Sequence, residues 1–162
     1  MKRLFRLLSI SLVCVLLLCG CATKPEVFEK DGMSITLSSA FSVLEQEGLT
    51  VAYQSRKSVV LVSKEPFSVL ESAKLDGNST QKEYAEAVLL AQGLEGIEIL
   101  EGDGLTYFVY ERSAGRSDYS YFATVHKSES AFWLIQFSCS SDEFDAMRTT
   151  FVTYAQSVTF SE

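Results

Sequence analysis

The sequence predicts an α+β domain in which an antiparallel β-sheet carries helices on both of its faces. Three observations lead there. Strand-like segments surround only two segments of helical periodicity, in the order strands, middle helix, strands, last helix, and that order suits an α+β layer arrangement. Successive strand segments are joined by short connections, which makes them antiparallel because a parallel pair needs a long crossover. The central strands are apolar at both sets of alternating positions, Tyr107 and Val109 against Phe108 and Tyr110, and Phe132 and Leu134 against Trp133, Ile135 and Phe137. Sheets with two apolar faces need cover on both sides.

The elements follow in order. Met33-Ser34-Ile35-Thr36-Leu37 alternates and reads as the first strand of a folded body that starts near Gly32. Residues 49–55 and 58–63, rich in β-branched and aromatic side chains, form a hairpin around Arg56-Lys57, and Pro66 stops the second strand. Thr80-Gln81-Lys82-Glu83 has the capping-box pattern, and Tyr84, Ala87, Val88, Ala91 and Leu94 supply an apolar face, so a helix is expected over 80–92, ended by Gly93. Residues 97–101 and 105–111 pair through Gly102-Asp103-Gly104, whose Asp-Gly step suits a turn of positive φ. Residues 119–125 and 131–139 make the next hairpin. Ser140-Ser141-Asp142-Glu143 is a second capping-box match, leading into an amphipathic helix marked by Phe144, Met147, Phe151 and Tyr154 or Ala155. Residues 157–160 close the chain as a short strand or extended tail.

The beginning of the chain has a different character. Met1-Lys2-Arg3-Leu4-Phe5-Arg6, an apolar run from Leu7 to Leu18, and Leu18-Cys19-Gly20-Cys21-Ala22 together resemble a bacterial lipoprotein signal. A basic start, an apolar core and a small residue before the cleavage point describe a removable segment. The run is shorter than the roughly 20 residues of a membrane span. The resemblance implies cleavage before Cys21, a diacylglyceryl group on its thiol and a further acyl chain such as palmitate on its amine. Two or three chains anchor a protein lastingly where one holds it marginally. The expected organisation is a cleaved signal over 1–20, a lipidated polar tether over 21–31 containing Pro25, and a single α+β domain over 32–162. The expected location is the extracytoplasmic face of the bacterial cell membrane, or the outer membrane where the organism has one. A secreted protein cut near Cys19 or Ala22, and an uncleaved signal anchor, stay open as alternatives.

Charge narrows the function classes. The 162 residues hold 14 Lys+Arg and 21 Asp+Glu, for a net charge of −7; loss of residues 1–20 removes Lys2, Arg3 and Arg6, leaving 11 basic against 21 acidic residues. A domain this acidic, with its basic residues scattered among acids, lacks the footprint of a nucleic-acid binder. It also leaves membrane contact to the lipid on Cys21. Four cysteines fall to Cys21 and Cys139 after processing, and with Cys21 lipidated no intramolecular disulfide is possible. Cys139 falls in step with Trp133, Ile135 and Phe137, which fits a small buried hydrophobe.

The body of the chain resembles the Mog1/PsbP-like superfamily. The resemblance rests on 33–37 leading to Phe41, on Tyr84-Ala85, on the strands carrying Tyr107-Phe108 and Tyr110, on Phe132-Trp133-Leu134-Ile135-Gln136-Phe137, and on Phe144 to Val158 with Phe160 after it. Ser38 departs from the pattern, since a proline often ends the first strand there. The resemblance implies an α/β/α sandwich and docking or assembly roles without one common activity.

Few residues suggest chemistry. His126 is the only histidine and has no metal-ligand spacing around it; a hydrolase would have to gather distant residues around it, since no Gly-x-Ser-x-Gly elbow occurs. No phosphate loop is present. Glu98, Glu101 and Asp103, and Asp142, Glu143 and Asp145, form two acidic clusters that read as a solvated edge and a helix start. No metal and no cofactor are expected. Tyr107, Tyr110, Tyr119 and Tyr121 lie on neighbouring strands and form the candidate binding surface. The expected function is a non-enzymatic, lipid-anchored binding or assembly role with an envelope protein as partner. The alternative is a small-ligand-binding lipoprotein with a pocket lined by Tyr107, Tyr110, Tyr119 or Trp133.

Overall fold

A computed structural model describes residues 23–161; the expected signal over 1–20, Cys21 and Ala22 lie outside the described residues. The α+β class and the antiparallel pairing are as expected, and the layers are richer than one sheet between helices. Strands β1 (Pro25–Lys30), β2 (Met33–Ser38), β3 (Ser42–Leu44), β4 (Val51–Gln54) and β5 (Ser58–Pro66) precede helix α1 (Gln81–Ala91). Then come β6 (Leu100–Gly102), β7 (Leu105–Ala114), β8 (Ser117–Lys127), β9 (Ala131–Ser140), helix α2 (Phe144–Gln156) and β10 (Thr159–Phe160). The large sheet runs β3-β4-β5-β9-β8-β7-β6, and a small sheet runs β1-β2-β10.

The large sheet is covered on both faces. On one, α1 and the short turns after Pro66 bury Leu70, Leu75, Tyr84, Val88 and Leu89 against Phe108, Tyr110, Phe132 and Leu134. On the other, α2 and the small sheet share the cover, bringing Met33, Ile35, Leu37, Phe151 and Ala155 onto Val60, Phe122, Ile135 and Phe137. β9 is the centre, with Ala131 to Cys139 all buried. Cys139 is 3% exposed within that core, and burial followed by the charges of Glu143 and Asp142 pushes its thiol pKa up, as suits a buried hydrophobe.

Local signals translate directly where they are strong. Thr80 caps α1 by accepting from the Glu83 amide at 3.2 Å, and Glu83 returns the contact to the Thr80 amide at 2.7 Å. These bonds are also what hold the Glu83 carboxyl below the usual carboxylate range. Asp103 and Gly104 have φ of 55° and 75°, the two positive values that an Asp-Gly hairpin turn demands.

Two expectations are corrected. Pro25–Lys30, assigned to the tether, is a strand: it pairs with β2 from Pro25↔Ser38 to Lys30↔Met33. Only Phe28 is even partly buried there, so apolar alternation could not announce it. Asp31-Gly32, with φ of 51° and 89°, repeats the Asp-Gly signal and would have. The second capping box does not form. The Ser140 hydroxyl bonds Asp142 instead, a single 3₁₀ turn spans Ser141–Glu143, and α2 starts at Phe144 without a side-chain cap.

Tyr84 is 1% exposed and stacks on Phe132 at 4.6 Å with the rings 8° apart. Among the described residues its buried hydroxyl has no partner within hydrogen-bonding geometry, although Glu65 lies near enough for its charge to add to burial in raising the phenol pKa. An unsatisfied buried polar group costs about 1–3 kcal/mol. Tyr84→Phe is therefore expected to raise stability by about 1 kcal/mol, read as a higher urea midpoint. A lower midpoint would mean that the hydroxyl has a partner in solution.

Candidate functional site

The four tyrosines singled out from the sequence do not share one surface. Tyr107 faces the small sheet and α2, with its ring 5.0 Å from Phe122. Tyr110 and Tyr121 face the α1 side, stacked at 4.7 Å. Tyr110 is 5% exposed, and its hydroxyl donates to Gln136 Oε1 at 2.5 Å. Arg112 lies over the Tyr110 ring at 5.5 Å. Burial, then the neighbouring Tyr121, pushes the Tyr110 phenol up to about 12, with Arg112 opposing. Tyr119 alone is exposed. A pocket common to Tyr107, Tyr110 and Tyr119 is thus not built, because alternation along β7 sends Tyr107 and Tyr110 to opposite faces of the sheet. Trp133 is equally enclosed: its indole donates to Ser128 at 3.2 Å, and the Lys64 ammonium sits 5.0 Å over the ring.

His126 offers no hydrolytic arrangement among the described residues. It is largely buried beside Phe160, and Thr124 is its one hydrogen-bonding side chain, at 3.1 Å from Nε2. The Thr124 hydroxyl, with one proton to donate, lies within reach of both Nε2 and the Ile135 carbonyl, the latter at 3.3 Å. Burial draws the imidazole down to about 4. Thr124 itself has no exposed surface for a substrate to reach. In the acidic clusters, Glu143 pairs with Lys57 at 3.0 Å and the Asp103 carbonyl accepts from Gln156 at 3.0 Å.

The feature that sequence reasoning missed is a groove between the two sheets. β1 ends the small sheet and β3 ends the large one, and the two free edges lie on the same side of the molecule, since Phe28 of β1 packs on Tyr53 of β4 with centroids 5.0 Å apart. The groove between them encloses about 630 Å³. Its floor is apolar, formed by Phe28, Val51 and Tyr53, and Val43 at its rim is 61% exposed. Three glutamates line it, Glu29, Glu45 and Glu47, against one lysine, Lys30, which already lies 3.7 Å from Asp31. It went unseen because neither β1 nor β3 has an apolar pattern of its own.

With this geometry in hand, known proteins supply a frame for the fold. No protein-family model and no curated protein matches the chain. Among solved structures, the cyanobacterial PsbP protein CyanoP of Synechocystis is similar with a TM-score of 0.51 and 18% identity, over 88% of this chain and 95% of that one. The Ran-binding protein Mog1p of Saccharomyces cerevisiae is similar with a TM-score of 0.53 and 7% identity, over 86% of this chain and 96% of that one. A Bacteroides thetaiotaomicron protein is similar with a TM-score of 0.56 and 10% identity, over 86% of this chain and 49% of that one. At such identities the likeness is one of fold, and the fold is the PsbP- and Mog1-like α+β architecture.

Proposed function

We propose that this protein is a lipid-anchored, extracytoplasmic domain with a non-catalytic binding or assembly role in the cell envelope. The observation that carries the reading is how few residues separate Cys21 along the sequence from the first bonded residue of the fold. The backbone is already bonded into the sheet at Lys24, whose carbonyl accepts from the Ser39 amide at 2.7 Å and whose amide donates to the Ser39 hydroxyl at 3.1 Å. Three Cα steps from Cys21 to Lys24 reach no more than about 11 Å. A lipid on Cys21 would hold one end of the sheets close to the headgroups. That end bears Lys24, the β4–β5 turn with Arg56 and Lys57, and the β7–β8 turn with Arg116, interspersed with the acids Asp118, Asp142 and Glu143. Lys57 is paired there with Glu143 at 3.0 Å, so the lipid rather than a basic patch would make the membrane contact.

The non-catalytic part of the reading is supported by the neutral, largely buried His126 and by the groove, whose apolar floor and unpaired edges suit a protein ligand. Intact mass and membrane partitioning of the protein expressed in a bacterium test the anchor. The expected product begins at Cys21, carries the mass of a diacylglyceryl group and sediments with membranes, and Cys21→Ala abolishes both properties. An unmodified, soluble wild-type chain would sink the anchored reading.

A further inference from the structure

The groove between β1 and β3 has three properties that together specify an occupant. It has backbone: β1 is six residues long and is paired on one side only, so its outer amides and carbonyls form a row about 20 Å long that another strand can extend. It has apolar area, with the half-buried Phe28 and Val51 on the floor and Val43 at the lip. Its charge is mainly negative, since Glu45 and Glu47 stand on the loop after β3 without a basic partner among the described residues, and the one lysine, Lys30, lies 3.7 Å from Asp31.

Each property excludes something. A helix would leave the unpaired edge unused. A neutral strand would meet the edge charges that keep exposed strands from indiscriminate pairing. A second copy of this chain would bring glutamates against glutamates, which repel. A basic segment in extended conformation satisfies all three.

We infer that the groove docks an extended, Lys/Arg-rich segment of an envelope protein, which adds to the free edge of β1, sets apolar side chains over Phe28 and Val51 and places its basic residues against Glu45 and Glu47. This deepens the binding role proposed above by naming the kind of partner, and it does not depend on the lipid.

The test uses the full chain purified from bacterial membranes in mild detergent, together with Cys21→Ala, and two fluorescent peptides of equal length, one alternating lysine with valine and one alternating glutamate with valine. The lysine peptide is expected to bind at least about tenfold more tightly than the glutamate peptide, and more weakly as salt rises. Glu45→Lys with Glu47→Lys is expected to cut its affinity by roughly tenfold; both sites are exposed, so an unchanged thermal midpoint will show that the fold is intact. Hydrogen exchange is expected to slow in β1 when the lysine peptide is bound. Equal binding of the two peptides, no response to the double charge reversal, or self-association that protects β1 without any peptide would each overturn the inference. Cys21→Ala separates this reading from the anchor: retained peptide binding in a protein that no longer partitions to membranes leaves the groove assignment standing, and lost binding in a membrane-bound wild type removes it alone.

Discussion

Phe137→Ala is expected to destabilise the protein by about 3–5 kcal/mol, the range for deleting a buried aromatic ring and leaving its cavity. Phe137 has no exposed surface and sits at the middle of β9, in register with Val60 of β5 and Phe122 of β8. Its ring lies 6.2 Å from Phe122, 5.6 Å from Phe151 and 6.4 Å from Tyr154, so it joins three central strands to α2. Neighbours contributed by a sheet on one side and a helix on the other cannot close over the gap together, which places the cost high in the range. Domains of this kind have total stabilities of about 5–15 kcal/mol, so the variant approaches unfolding under ordinary conditions. Guanidinium titration checks it through the midpoint at constant slope. A loss below about 1 kcal/mol would mean that α2 does not pack on β9 as described.

The second large effect is acid destabilisation through His126. The imidazole is drawn down to about 4 in the folded protein by burial, while in the unfolded chain it has its ordinary value near 6.5. The folded state thus favours neutral histidine. Its contribution is fully present above pH 6.5 and is lost as pH falls through the window from 6.5 to about 4, by roughly 3 kcal/mol in all. His126→Gln keeps a hydrogen-bonding group toward Thr124 and removes the titration. Unfolding free energies measured at pH 7 and pH 4.5 are expected to differ by roughly 2 kcal/mol more in the wild type than in His126→Gln. Parallel pH dependence in the two proteins would show that His126 is solvated. Carboxylates titrate at the lower end of this window in both proteins, so the comparison between them isolates the histidine.

How much of this was legible depends on how local each signal is. The α1 cap, the Asp103-Gly104 turn and the hairpins of β4 with β5 and β8 with β9 each rest on residues within a few positions of one another, and each forms where expected. Ser140 shows the limit of a motif, because its hydroxyl had a competing acceptor two residues on, at Asp142, and took it. Alternation correctly placed Tyr107 and Tyr110 on opposite faces of their strand. What it does not carry is the identity of the layer above each face, so a shared tyrosine surface looked available when Tyr110 was closing on Gln136 inside the core.

The amino-acid pattern alone determined the fold class, the two helices and the buried centre of the sheet, because periodicity, caps and turn residues act over one or two turns of chain. The tertiary structure alone decided that β1 and β2 leave the main sheet to form a second one with β10. That sheet is held by contacts such as the Thr36 amide to the Ser157 hydroxyl at 2.9 Å and the Ser161 amide to the Gly32 carbonyl at 2.8 Å, between residues more than a hundred positions apart. The same distant pairings bury His126 beneath Phe160 and leave the edges of β1 and β3 side by side. Neither consequence has a local trace, since a strand edge or a buried imidazole is defined by what another part of the chain does or does not bring to it.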